Sequence, residues 1–314
     1  MKSVLILGIG GQDGSYLADN LLARGGYKIH GLVRRSSTGN LRNVAHLEGK
    51  VTLHRGDLSD PLSIHRILQE VAPHYVYNLA DQDHVGWSDC HVGYNLDVTA
   101  GAVGRLLESI RLLTASGEIP FDGIRVFQAC SATMYGPREG PITEDCPLNP
   151  QSPYAVAKAA AYHLCRMYRQ RYGMFVSCGI LFNHDSPRRS PDYLPQQIAR
   201  QAVEVLRGKR KRIELKGPNA RVDVGWAPEY VEAMRLICEA DVPDDFVVGT
   251  GIGRWIDLLS VGAVGKSCRL DDPTHERAGS ISLPQKIERA LGWKATVDGL
   301  GVIERLVAHF KKQS

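Results

Sequence analysis

The sequence predicts an α/β fold: a doubly wound parallel sheet with a smaller, discontinuous second lobe. Three observations predict it. A short apolar strand runs into a glycine turn and a helix at the N-terminus, apolar runs then alternate with helical patterns through Leu181, and the alternation is lost afterwards. With 314 residues, 43% hydrophobic and 23% charged, the chain suits one large core or two joined lobes.

Taken in order, Ser3–Leu7, Lys28–Leu32, Val51–His54, Tyr75–Asn78, Ile124–Ala129 and Phe175–Leu181 read as strands, being short apolar runs bounded by turn residues. Gly14–Arg24, Pro61–Glu70, Val98–Leu113 and Pro153–Tyr172 read as helices by their apolar spacing. Beyond Leu181, Pro- and Gly-rich loops separate helices at Leu194–Leu206, Pro228–Glu239, Pro284–Leu291 and Val302–Phe310.

Composition excludes several classes. A net charge of +4, widely dispersed, gives no reason to expect nucleic acid or membrane as a partner. The basic run Arg207–Arg212 reads as a solvated helix end rather than a phosphate site. The apolar start is too short for a signal peptide, and no stretch approaches the ~20 apolar residues of a spanning helix. Seven cysteines, odd in number and never spaced Cys-x-x-Cys, argue against a disulfide framework or a metal site. The expected setting is a reducing, cytoplasmic one.

Gly8, Gly11 and Gly14, with Gln12 and Asp13 between them, link the first strand to the first helix. Glycines so placed allow a tight turn, close backbone approach to a pyrophosphate and close helix packing, and the helix N-terminus adds N–H groups and positive dipole. This is the dinucleotide loop of a Rossmann-type sheet. At the end of the second strand, an acidic residue would hold the ribose hydroxyls of NAD. Here stand Arg34, Arg35 and Ser36, which suit a 2′-phosphate, so the expected cofactor is NADP, with NAD less favoured. Asp57 and Leu58 after the third strand are placed for the adenine, and Leu79 and Ala80 after the fourth pass beneath the cofactor. The expected organisation is therefore residues 1–181 as the NADP-binding domain, with segments returning near 213–250, and 182–314 as mainly the substrate-binding lobe.

Tyr154 and Lys158, four apart on a helix, emerge on one face. A phenol is a poor base at neutral pH, and a neighbouring ammonium together with an oxidised nicotinamide is expected to lower its pKa, the lysine also holding the nicotinamide ribose. Ser131, at the end of the fifth strand, would hydrogen-bond the same substrate hydroxyl. Any Tyr-x-x-x-Lys pair alone is more often a solvated helix face; the glycine loop and Ser131 give this one its meaning. Cys130 reads as a packing residue.

These motifs resemble the extended short-chain dehydrogenase/reductases that act on nucleotide sugars. Gly11–Ala18, His30–Ser37, Gly179–Arg189 and Tyr230–Met234 are similar, nearly residue for residue, to the GDP-mannose 4,6-dehydratase family. The resemblance runs to about residue 249 and returns at Leu291–Lys294. It implies a nucleotide-sugar substrate, a transient 4-keto intermediate, substrate contacts from Asn183, His184 and Arg188, and a homodimer or homotetramer built on the helices near Val98–Leu113 and Pro153–Tyr172.

The sequence also departs from that family. Where the family's elimination base, a Glu, is expected, Cys130–Gly136 places Thr133, and a hydroxyl cannot abstract a proton as a carboxylate does near pH 7. Ser131-Ala132-Thr133 is instead similar to the segment of UDP-glucose 4-epimerases. Val222 occupies the place of a diphosphate-binding Arg, and of a later Arg-Pro-x-Glu segment only Glu276 is kept; Arg221, Arg254 or Arg277 are the candidates to compensate. Asp81 and Asp83 replace small or hydroxyl residues, with Asp83 the better candidate for a substitute base.

The expected function is thus an NADP-dependent enzyme on a nucleotide-linked hexose, epimerisation or keto/hydroxyl interconversion being preferred and dehydration through a substitute base the alternative. A non-catalytic NADP-binding regulator is the reading from another class; the intact Ser131, Tyr154 and Lys158 set argues against it.

Overall fold

In the first strand, β1 (Lys2–Leu7), Val4, Leu5, Ile6 and Leu7 are fully buried, as in a strand covered on both faces. The computed structural model describes residues 1–34, 36, 41–119, 123–138, 140–215, 221–264 and 279–313. After β1 come α1 (Gln12–Arg24), β2 (Tyr27–Val33), β3 (Thr52–Arg55), α2 (Pro61–Val71), β4 (Tyr75–Asn78), the short α3 (Val85–Ser88) and α4 (Val92–Leu96), α5 (Ala102–Ala115) and β5 (Arg125–Ser131). A two-residue β6 (Pro141–Ile142) precedes α6 (Pro153–Tyr172), β7 (Phe175–Leu181), β8 (Asn183–Asp185) and α7 (Leu194–Leu206). The chain continues through β9 (Arg221–Trp226), α8 (Ala227–Glu239), β10 (Asp245–Val248), β11 (Gly253–Trp255), α9 (Ile256–Val264), β12 (Ile281–Ser282), α10 (Gln285–Leu291) and α11 (Gly299–Lys311).

Among the described residues, the main sheet has seven strands in the order β10-β7-β5-β4-β1-β2-β3. Strands β1 to β5 and β7 pair in parallel, in a register that sets Leu7 beside Asn78, Asn78 beside Gln128, and Ser131 beside Leu181. Their carboxyl ends therefore lie along one edge, the edge at which open α/β sheets bind ligands. The doubly wound α/β fold expected from the sequence is the fold observed.

The chain divides into two compact units. The first comprises Met1–Gly136, Pro147–Leu181 and Val231–Phe246; the second comprises Pro137–Cys146, Phe182–Tyr230 and Val247–Ser314. The second has its own apolar core, in which Ile198, Ala202, Val224, Ile303, Leu306 and Phe310 are buried together. It also has a polar keystone in Asp223, only 1% exposed. One carboxylate oxygen accepts from Thr250 N and Oγ1 (3.0 and 2.6 Å), the other from Gly251 N, Ser282 N and Ser282 Oγ (3.2, 3.0 and 2.5 Å). A buried carboxylate is tolerable only when its lone pairs are filled in this way.

One helix differs from its expected form. The stretch predicted as Val98–Leu113 begins at α4, loosens into a π turn over Asp97–Gly101, and resumes as α5. Within the loosened turn, the Asp97 carbonyl accepts from both the Ala102 N–H and Arg105 Nη2 (3.0 Å). Arg105 also pairs with the Asp97 carboxylate (2.7 Å) and donates twice to Leu58 O (3.2 and 2.8 Å). Apolar spacing cannot register such a turn, because one extra residue barely disturbs a helical pattern.

Candidate active site

The glycine loop closes as its residue types require. Gly8 has φ of +86°, and a Cβ there would lie 2.9 Å from Leu79 O; at Gly14 it would lie 2.3 Å from Gly8 O. Gly11 donates its N–H to Gly8 O (2.9 Å) and caps α1, thirteen residues long. Gln12, buried, donates to the Asp13 carboxylate (3.0 Å). A backbone cradle that excludes side chains, at a helix N-terminus, fits a dinucleotide pyrophosphate. Leu79 N donates to Leu7 O (3.0 Å), which extends the strand edge to Ala80 beside this cradle.

The residues for the adenosine end are partly described. Arg34 is exposed and donates to Tyr94 Oη (2.8 Å), and Ser36 is exposed. Arg35 lies outside the described residues. Asp57 Oδ1 accepts from Ser59 N and Oγ (2.9 and 2.8 Å), while Leu58 is buried and its carbonyl is held by Arg105.

Tyr154 and Lys158 sit in the first turns of α6, whose start is set by Pro153 and by Ser152 Oγ accepting from Ala155 N (3.2 Å). Ser88 Oγ accepts the Tyr154 backbone N–H (3.2 Å), fixing the tyrosine from α3. Ser131 ends β5; its Oγ accepts from Thr133 N (3.3 Å) and Thr133 Oγ1 (2.9 Å), and it is near enough to the Tyr154 phenol to act on its ionisation. Lys158 is buried, donates to Ala129 O (2.7 Å), and pairs with Asp81 at 2.5 Å. The structure thus brings Ser131, Thr133, Tyr154, Lys158 and Asp81 together, with Asp83 close enough for its charge to act on Tyr154.

The protein's own groups pull the Tyr154 phenol in opposite directions. Lys158 does act to lower the Tyr154 pKa, but burial, reinforced by the Asp81 and Asp83 charges, outweighs it and the phenol is pushed up to about 12. Burial alone would push Lys158 down. The opposing charge and hydrogen bond of Asp81, with a contribution from Tyr154, hold it above the usual lysine range. Cys130, buried and raised by desolvation, packs rather than reacts.

The expected substrate residues lie in the second unit. Asn183 is exposed on β8. His184 Nδ1 is bonded to Phe182 O (2.8 Å) and its ring stacks on Tyr230 with centroids 4.5 Å apart. Arg188 N donates to Ser186 Oγ (3.2 Å), and Arg221 Nε donates to Gly253 O (3.1 Å). Arg254, offered by the sequence as a compensating guanidinium, is committed to Asp298 at 2.5 and 2.9 Å. Val222, at the place of the expected Arg, is a strand residue opposite Arg254. Glu276 and Arg277 lie outside the described residues. Sequence reasoning missed Ser88, whose role depends on a contact 66 residues away, and Asp185. Asp185 is buried, accepts from Ser186 N (2.7 Å) and Gln196 Nε2 (2.5 Å), and is pushed up to about 6 by burial.

Fold and site together define an extended short-chain dehydrogenase/reductase of the nucleotide-sugar dehydratase/epimerase type. The chain belongs to the GDP-mannose 4,6-dehydratase family, whose sequence model matches residues 5–306. A GDP-mannose 4,6-dehydratase of Vibrio cholerae is 42% identical over 259 residues, covering 80% of this chain and 68% of its own. Solved structures at 19–21% identity share the fold. A UDP-glucose 4-epimerase of Thermotoga maritima, solved with UDP-glucose, has a TM-score of 0.84 and covers 99% of both chains. A dTDP-glucose 4,6-dehydratase of Bacillus anthracis, in complex with NAD, has a TM-score of 0.83 and covers 100% of this chain and 97% of its own. A Pseudomonas aeruginosa protein called RMD, complexed with NADPH, has a TM-score of 0.81 and covers 100% of both chains. The family match favours dehydration over the epimerisation preferred from the sequence.

Proposed function

We propose that this enzyme uses NADP to oxidise the C4 hydroxyl of GDP-mannose and then eliminates water across C5 and C6, with Asp83 as the carboxylate that replaces the family Glu. The observation that carries the reading is the assembly of Ser131, Tyr154 and Lys158 with Asp83 close enough for its charge to act on the phenol. Tyr154 accepts the C4 hydroxyl proton, Ser131 hydrogen-bonds the same oxygen, and Lys158 steadies the phenolate. The bound nicotinamide supplies the hydride acceptor and, later, the donor. The 4-ketone acidifies the C5 proton, and Asp83 takes it and passes it to the C6 hydroxyl, which leaves as water. Arg34 supports NADP over NAD, because a guanidinium can bind the 2′-phosphate. The first unit serves as the cofactor lobe and residues 182–314 mainly as the substrate lobe, and the enzyme is a dimer through α5 and α6.

A second reading rests on Thr133. Its hydroxyl bonds Ser131 where the family has a carboxylate, which favours epimerisation or simple keto/hydroxyl interconversion. Incubation with GDP-mannose and NADP in deuterated water, read by mass spectrometry, decides between them. Loss of water, abolished by Asp83→Asn while transient reduction of the nicotinamide persists, is expected. Deuterium uptake without loss of water would sink the dehydratase reading in favour of the second.

A further inference from the structure

Lys158 is the most deeply buried ammonium at the site, and its counter-charge is internal: the Lys158 and Asp81 side chains are 4% and 11% exposed, with Nζ 2.5 Å from Oδ2. Lys158 Nζ stands 5.7 Å from the Tyr154 ring centroid. An ammonium held only by Ala129 O would present its full positive charge to the phenol; Asp81 opposes part of that pull, which remains the stronger of the two charge effects. We propose that Asp81 is a positioning residue that fixes the Lys158 ammonium and offsets part of its charge, so that Tyr154 gives up its proton less readily than the lysine alone would allow. The proposal rests on the reading of Tyr154 as the acid–base group.

The surroundings of Tyr154 leave few other candidates for this control. From its own helix the charge is Lys158; from the loop after β4 come Asp81 and Asp83; from β5 comes the Ser131 hydroxyl, which favours ionisation. Cys130, also on β5, acts on Lys158 and is itself kept a neutral thiol by burial. α3 contributes the uncharged Ser88 hydroxyl to the Tyr154 backbone. Asp83 adds to the effect of Asp81, but only Asp81 is paired with the lysine among the described residues. Burial already holds the phenol protonated, Asp81 and Asp83 add to that hold, and a positive charge entering the site would oppose the two carboxylates. In this arrangement the protein's own groups favour reduction of a ketone, and alcohol oxidation has to be driven by the oxidised cofactor.

The test is a direct titration of Tyr154. The ultraviolet absorbance of phenolate is followed against pH for the full chain, with the Tyr154→Phe protein subtracted, and repeated in the Asp81→Asn and Asp81→Ser backgrounds. Asn is isosteric and Ser leaves space, so the pair guards against loss of the fold in one of them, with circular dichroism as the check. Removal of the carboxylate is expected to lower the Tyr154 midpoint by about one pH unit or more, a tenfold shift in proton concentration. An unchanged or raised midpoint in a folded variant overturns the proposal. No sugar nucleotide is present, so failure to turn over GDP-mannose would defeat the proposed function and leave this titration standing, and the reverse holds equally.

Discussion

Asp185 shows how far a single buried side chain departs from its usual behaviour. Its carboxyl is raised from 3.8 to about 6, chiefly by burial, so the folded protein prefers it protonated. A carboxyl raised in the folded state contributes stability at low pH that is lost as pH rises through the folded value. The wild type should therefore lose up to about 3 kcal/mol through this group between roughly pH 4 and pH 7. Asp185→Asn keeps an oxygen acceptor for Ser186 N and Gln196 Nε2, and it should be more stable than wild type near neutrality and lose that advantage in acid. Urea unfolding at two pH values checks it; an equal difference at both would contradict the linkage. At this scale the sequence was informative where a motif names the residue. Gly8, Ser131, Tyr154 and Lys158 declare themselves by type and spacing. Asp81 and Asp185 do not, because a carboxylate's role depends on which cation or amide meets it after folding, and no spacing in the chain encodes that meeting.

Secondary-structure elements were more legible than side-chain partners. β4, β7, α6 and α7 run over the ranges their apolar patterns predict. The periods are strong there because each element is buried against the core of its own unit. Short pieces such as α3, β8 and β11 escaped, since three or four residues carry no period, and the π turn before α5 escaped for the opposite reason, being hidden inside a long one. The glycine turn between β1 and α1 is the element on which the proposed cofactor binding depends. Gly14→Ala forces a Cβ to within 2.3 Å of a backbone oxygen that cannot swing aside, so the turn must open. The expected cost is about 1–3 kcal/mol of stability, and NADP affinity should fall by at least about tenfold as the cradle loses its shape. Thermal melts and calorimetric titration measure the two, and a variant that binds NADP normally would show that the close approach is not needed.

For the molecule as a whole, assembly is the open property that surface chemistry addresses. Leu112 on α5 and Val156 on α6 are 48% and 44% exposed, on the two helices expected to meet a second copy. Light scattering should give twice the 34.5 kDa chain mass, and Leu112→Glu with Val156→Glu should return it to 34.5 kDa with the fold intact. A wild-type chain that is monomeric across the working concentration range would remove the dimer. Within the first unit, Arg105 has a wider consequence. One guanidinium spans from the loosened turn before α5 to the carbonyl of Leu58, so the loop following β3 is tied to that helix as well as by its own turn, in which Asp60 N donates to Asp57 O (3.1 Å). The loop that the sequence assigns to the adenosine end of the cofactor therefore has a mechanical strut. Its shape is inherited from α5, and a change on that helix can alter nucleotide selectivity without touching a single nucleotide contact.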